Sequence, residues 1–177
     1  FTPEQKEELL MSVWLHDIGK LVTPLEVMNK MARLTPAQHS AFLHRMELIR
    51  LNGRIRMLSG QISAGECAAL TDQARRAEAL VEEIDTAGYL PDEKLAALSR
   101  LGEEKWLDEE GTAHPWIEEE ELAMLSIRRG TLSEQERQIM EEHVQVTDKL
   151  LSQIQFSNDL SHVREWAAGH HELLNGS

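Results

Sequence analysis

Five side chains with metal-ligating chemistry stand far apart in this chain. They are His16 and Asp17 in the run His16-Asp17-Ile18-Gly19-Lys20, then His143, then the adjacent pair His170-His171. An imidazole beside a carboxylate on the last turn of an amphipathic helix is the beginning of a metal site. Neutral imidazole nitrogens and carboxylate oxygens together suit iron, manganese, zinc or nickel. Asp17 offers two oxygens and can bridge two ions, as a two-metal phosphoester site requires. Metals so held would clamp a phosphate and lower the pKa of a water. Lys20, one helical turn beyond Asp17, could then reach a phosphate oxygen as a cation. Each residue alone also has a plainer reading. His16 could hydrogen-bond its neighbouring acid in a core, His143 could be a boundary histidine, and Lys20 an exposed cation near a helix C-terminus. The pair His170-His171 is harder to place that way. Two imidazoles behind the stripe Leu160, Val163, Trp166 and Ala167 are costly to bury without partners. His39, His44, His114 and His162 are expected to stand outside the site.

The elements that must position these residues read as helices. Thr2-Pro3 with Gln5 is a helix start, with Thr as N-cap and Pro at the first position. Leu9, Leu10, Val13 and Trp14 give its apolar face, and Gly19 is expected to end it. Thr23-Pro24 opens a short helix carrying Leu25, Val27, Met28 and Met31, and Thr35-Pro36 repeats the start signal. Leu48, Leu51, Ile55 and Leu58 then alternate by three and four. After a break near Gly60 and Ser63, so do Cys67, Leu70, Ala74, Ala77, Val81 and Ile84. That spacing predicts two long antiparallel helices packed along a coiled-coil seam. A third helix follows near Pro91, with Leu95, Leu98 and Leu101. Residues 111–115 read as a connection, and no strand is predicted. Ser133-Glu134-Gln135-Glu136 opens a helix presenting Ile139, Met140, His143, Val144, Thr147, Leu150 and Leu151. A last helix carries Leu160 to His170.

Composition agrees with an all-α fold: 41% of the 177 residues are hydrophobic, only 5% aromatic, and Gly and Pro are sparse. The net charge of -13 repels phosphate backbones, so duplex nucleic acid is not an expected partner. Bound divalent cations would still admit a small phosphorylated ligand. The single cysteine, Cys67, allows no internal disulfide and no thiolate zinc site. No apolar run is long enough to span a bilayer, so no membrane contact is expected of this segment.

Three blocks, in order, resemble the HD-GYP branch of the HD-domain phosphohydrolases. The first is His16 to Lys20 with Pro24 to Lys30. The second is Gly130 to Arg137 leading to His143. The third is His170-His171-Glu172 with Asn175-Gly176-Ser177. The resemblance implies an all-helical HD-domain bundle in residues 1–33 and 117–177. An antiparallel, coiled-coil-like hairpin with a connecting helix is then inserted at 34–116. It implies hydrolysis of cyclic di-GMP to pGpG or GMP at a centre of two or three ions, iron or manganese. His16, Asp17, His143, His170 and His171 are the ligands by that likeness, with Asp17 bridging and Lys20 on the substrate phosphate. It further implies a cytoplasmic module of bacterial signalling fused to a sensor or receiver domain, any membrane anchor lying elsewhere. The inserted helices read either as a solvated decoration or as a dimerisation or signal-relay coiled coil, and a homodimer through them is the expectation carried forward. The family also has a ligand on a helix before its His-Asp pair, and a Gly-Tyr-Pro and a later aspartate after the position of Ser177. Asn175 stands where Asp is usual. One metal position is therefore expected to be deficient, and this stretch by itself impaired or inactive. Two other readings stay open: a non-catalytic signalling or dimerisation module with a vestigial metal site, and a phosphohydrolase acting on another nucleotide.

Overall fold

Local capping chemistry sets the long helices. The structure, a computed structural model, describes residues 1–108 and 110–171. The block from Glu172 to Ser177, with Asn175, lies outside the described residues. In chain order the elements are α1 (Pro3–Leu15), a 3-10 turn (Ile18–Val22), α2 (Leu25–Met28), α3 (Pro36–Leu58), α4 (Ala64–Asp85) and α5 (Asp92–Glu103). They continue with β1 (Lys105–Leu107), β2 (Ala113–Pro115), α6 (Glu119–Leu125), α7 (Glu134–Glu141), α8 (His143–Leu151), a 3-10 turn (Asn158–Leu160), α9 (Val163–Ala168) and a last 3-10 turn (Gly169–His171). Among the described residues the fold is all-α apart from one two-stranded sheet. Thr2 with Gln5, Thr35 with Gln38 and Ser63 with Glu66 each form a reciprocal capping box. Each box satisfies two backbone donors that would otherwise be orphaned at a helix start.

The chain forms two compact units, residues 1–30 with 134–177, and residues 31–133. In the first, α1 packs on α9 and α8 packs on both α9 and the turn Ile18–Val22. Its buried apolar residues are Val27, Leu151, Val163 and Ala167. The apolar row expected to be the packing face of α1 is not the one that faces inward. Leu9, Leu10, Val13 and Trp14 are exposed, while Glu8 and Ser12 are buried. Glu8 reaches the start of α9 and accepts the His162 backbone N–H, and Ser12 donates to the Glu8 carbonyl. The inward side of α1 is thus polar and hydrogen-bonded. Gly19 does not end α1, which stops at Leu15; it is buried in the 3-10 turn. The helix expected from Ser133 breaks at Glu142 into α7 and α8. Lys30 Nζ donates to both Glu136 carboxylate oxygens at 2.8 Å and ties the end of α2 to α7.

In the second unit α3 and α4 run antiparallel. Leu34 N–H donates to Asp85 Oδ1 (2.7 Å) at one end, and Gly53 lies against Leu70 and Cys67 near the other. The core joins Phe42, Met46 and Ile49 of α3, Ala74, Ala77, Val81 and Ile84 of α4, and Leu90, Leu98, Trp116, Ile117 and Leu125. The α4 stripe is the one its spacing predicts. The α3 stripe is not. Leu48, Leu51, Ile55 and Leu58 are exposed, and Phe42, Met46, Ile49 and Gly53 turn inward. Both rows have helical spacing. The row with Gly53 wins because a residue without Cβ lets α4 come close. Arg45 is mostly buried and donates to both Glu121 oxygens, at 2.8 and 3.1 Å, and to the Trp116 carbonyl.

A small antiparallel sheet corrects the expectation of no strands. Trp106 pairs with His114 in it, and Leu107 with Ala113. Asp108 holds the connecting loop by accepting the Glu110 and Thr112 N–H groups and pairing with His114 Nε2. Three-residue strands are too short for alternation to show in sequence. No helix among the described residues is long and apolar enough to cross a membrane.

Candidate metal centre

Three segments of the first unit bring metal-ligating side chains close together, and those whose ligand atoms could share one ion are His143, His170 and His171. His16 caps α1 and Asp17 follows it at the head of the 3-10 turn. His143 is the first residue of α8, and His170 and His171 lie in the turn after α9. Asp17 Oδ1 stands 3.4 Å from His143 Nε2 and 3.8 Å from His170 Nε2. Ligand atoms of His143, His170 and His171 all lie within 4.8 Å of one another. The other carboxylate oxygen, Oδ2, faces His16 Nε2 at 3.2 Å and Lys20 Nζ at 2.7 Å. Asp17 thus sits between two sides, His143 and His170 on Oδ1, His16 and Lys20 on Oδ2.

Backbone carbonyls set the imidazoles. His16 Nδ1 meets the Val13 carbonyl, His143 Nδ1 the Met140 carbonyl and His170 Nδ1 the Ala167 carbonyl. A carbonyl oxygen only accepts, so Nδ1 carries the proton in each ring. In a neutral ring the lone pair is then on Nε2, and it is Nε2 of His16, His143 and His170 that faces Asp17. Such a hydrogen bond fixes both tautomer and ring orientation for metal binding. Burial pushes the His170 pKa down, helped by neighbouring His171 and His16 and opposed by the Ala167 carbonyl and Asp17. That favours the neutral, ligating ring. Burial works to raise the Asp17 pKa, but the Lys20 hydrogen bond and the nearby His16 and His143 outweigh it and hold the carboxylate charged.

One test of fit is whether anything else satisfies these atoms. Asp17 Oδ1, His143 Nε2 and His170 Nε2 are all buried without a hydrogen-bond partner. Leaving a buried polar atom unmade costs on the order of 1–3 kcal/mol each, and here an acceptor oxygen and two acceptor nitrogens converge. With the rings neutral, these acceptors cannot satisfy each other. A cation between them can, and the donor set fits a divalent ion.

Thr147, which sequence spacing places only in an apolar row, welds the site together. Thr147 is fully buried one helical turn after His143. Its hydroxyl accepts the Gly19 N–H at 2.9 Å and donates to the His16 carbonyl at 3.1 Å. A Cβ on Gly19 would lie 2.0 Å from the His143 carbonyl oxygen, so the close approach of turn and helix requires glycine. In sequence Thr147 falls in an apolar row and reads as a core position. Its spacing of four from His143 was the one available signal. The remaining histidines lie elsewhere. His44 is exposed, His114 pairs with Asp108 and His162 stacks on Trp166.

A family model for the HD domain matches residues 57–177. The chain belongs to the HD-domain family. The matched stretch holds His143, His170 and His171 and begins downstream of His16 and Asp17. No curated protein and no solved structure matched this chain. HD domains are typically metal-dependent phosphohydrolases and bind divalent metals. That chemistry agrees with the unsatisfied cluster at Asp17.

Proposed function

We propose that this HD domain is a metal-dependent phosphodiesterase that hydrolyses cyclic di-GMP to pGpG or GMP, with iron or manganese. The observation that carries the metal reading is the convergence of Asp17 Oδ1, His143 Nε2 and His170 Nε2, each buried and unpartnered. His171 and His16 complete the ligand set. The substrate class rests on the likeness of the blocks at 16–30 and 130–143 to HD-GYP domains. When bound, divalent ions supply Lewis acidity to a phosphoryl oxygen and acidify a water. The chain's own residues do the positioning. Asp17 divides its two oxygens between the two sides of the site. The backbone carbonyls orient the imidazoles so that Nε2 is the atom offered to an ion. Lys20 leaves Asp17 Oδ2 to meet the substrate phosphate and stabilise its developing charge.

The test is a hydrolysis panel with the full-length protein loaded with manganese or iron(II). Cyclic di-GMP is expected to turn over, and His143→Ala or Asp17→Asn to abolish turnover. Equal turnover in metal-stripped protein would overturn the metal mechanism. Cleavage confined to other nucleotides would move the substrate and leave the metal chemistry standing.

A further inference from the structure

Helix α3 carries apolar rows on opposite sides, and only one of them is used inside its unit. Phe42, Met46, Ile49 and Gly53 are buried. The other row repeats at alternating steps of four and three: Ala37, Ala41, His44, Leu48, Leu51, Ile55 and Leu58, all exposed. Its aliphatic part is open to solvent to a degree unusual for a helix docked on a core, Leu48 at 52%, Leu51 at 43%, Ile55 at 49% and Leu58 at 81%. At about 100° per residue the two rows face roughly opposite ways. A four-three repeat over the whole helix is the seam of a coiled coil, running roughly 32 Å at 1.5 Å per residue.

We propose that this seam is a homodimer interface in which α3 packs antiparallel against α3 of a second copy. Two observations select that occupant and that direction. The first is size. In the antiparallel register Leu51 meets Leu48 of the second copy, Ile55 meets His44 and Leu58 meets Ala41. The bulky end of one seam therefore lies over the small end of the other, and the two-fold axis makes every contact twice. The second is charge. Glu47 and Arg54 flank the seam on the same side. The same register sets Glu47 of each copy against Arg54 of the other, two complementary pairs. A parallel pairing would set Glu47 against Asn52 and Arg54 against Ser59, with no match. Both groups are open to pairing. Arg50 takes only Oε2 of Glu47, and Arg54 makes no ion pair among the described residues. Flanking charges of this kind set partner choice and orientation in coiled coils.

Sedimentation velocity on the full-length protein tests the interface. The wild type is expected to be a dimer at micromolar concentration. Leu51→Glu, at an exposed position, is expected to give a monomer with unchanged helical circular dichroism, and with a melting temperature that no longer rises with protein concentration as the wild type's does. Glu47→Arg is expected to weaken the dimer about tenfold or more, and Arg54→Glu added to the same chain to restore it. A wild-type monomer, a dimer untouched by Leu51→Glu, or a charge swap that fails to restore association each overturns the proposal. None of these outcomes depends on metal or on turnover.

Discussion

Replacing Gly19 by alanine tests how the site is held. The new Cβ would lie 2.0 Å from the His143 carbonyl oxygen, 2.7 Å from Thr147 Oγ1 and 2.8 Å from Thr147 N. Real Cβ contacts essentially never fall below 3.0 Å, so the turn must withdraw from α8 by at least 1 Å. Two of the three obstacles are backbone atoms, which cannot rotate away. Overpacking of this kind costs about 1–3 kcal/mol. Withdrawal also stretches the Gly19 N–H to Thr147 bond at 2.9 Å, and an unsatisfied buried N–H adds about 1–3 kcal/mol. The expected loss is therefore about 2–6 kcal/mol, a large share of the ~5–15 kcal/mol that stabilises a domain. The same movement carries Asp17 away from His143, and metal sites tolerate only about 0.2 Å. Urea denaturation of the metal-free protein reads the first effect, and a competition titration with a chelating dye reads the second. Gly53→Ala is the control. Its nearest obstacle, Leu70 Cδ2 at 2.7 Å, is the far end of a flexible side chain, so a smaller loss and unchanged metal affinity are expected. Gly19→Ala protein with wild-type stability and affinity would refute the reasoning.

Other substitutions read separate parts of the molecule. Thr147→Val keeps the shape but removes the hydroxyl that joins Gly19 to His16, so metal affinity is expected to fall about tenfold to a hundredfold and Thr147→Ser to recover it, by the same titration. Glu121→Ala removes the closer carboxylate of a mostly buried Arg45 and is expected to cost about 3 kcal/mol in urea denaturation, the low end for a broken buried pair because Arg45 keeps the Trp116 carbonyl and Glu118 at 3.7 Å. Asp148 accepts two bonds from Arg164, which hold its pKa below the usual carboxylate value of 3.8. A depressed folded pKa gives stability that is present above the unfolded pKa and is lost as pH falls through the folded one. The melting temperature of Asp148→Asn should therefore lie below wild type at neutral pH and converge on it at strongly acid pH, with a small gap that high salt narrows because the pair is exposed.

Helix starts were legible because a capping box is local: Thr2 with Gln5 and Thr35 with Gln38 sit three residues apart and need no tertiary knowledge. The packing face of a helix was not. On α1 the apolar row Leu9, Leu10, Val13 and Trp14 has the better spacing, yet Glu8 and Ser12 turn inward because Glu8 can accept the His162 N–H from α9. On α3 two rows compete with equal periodicity, and only the contact of Gly53 with Leu70 and Cys67 decides between them. The residues of the candidate cluster stand out by type, since imidazoles and a carboxylate in helical contexts carry their chemistry in sequence. What positions them was not, because Thr147 and Gly19 meet across 128 residues of chain. The sheet at Trp106 and His114 was hidden by its brevity.

The central claim is that Asp17, His143 and His170 surround a divalent ion. Crystals of the protein grown with manganese, measured at a wavelength where manganese scatters anomalously, test it directly. The account predicts an anomalous peak within bonding distance of Asp17 Oδ1 and of Nε2 on both His143 and His170. A peak bound only at other residues, or none there at saturating manganese, contradicts it.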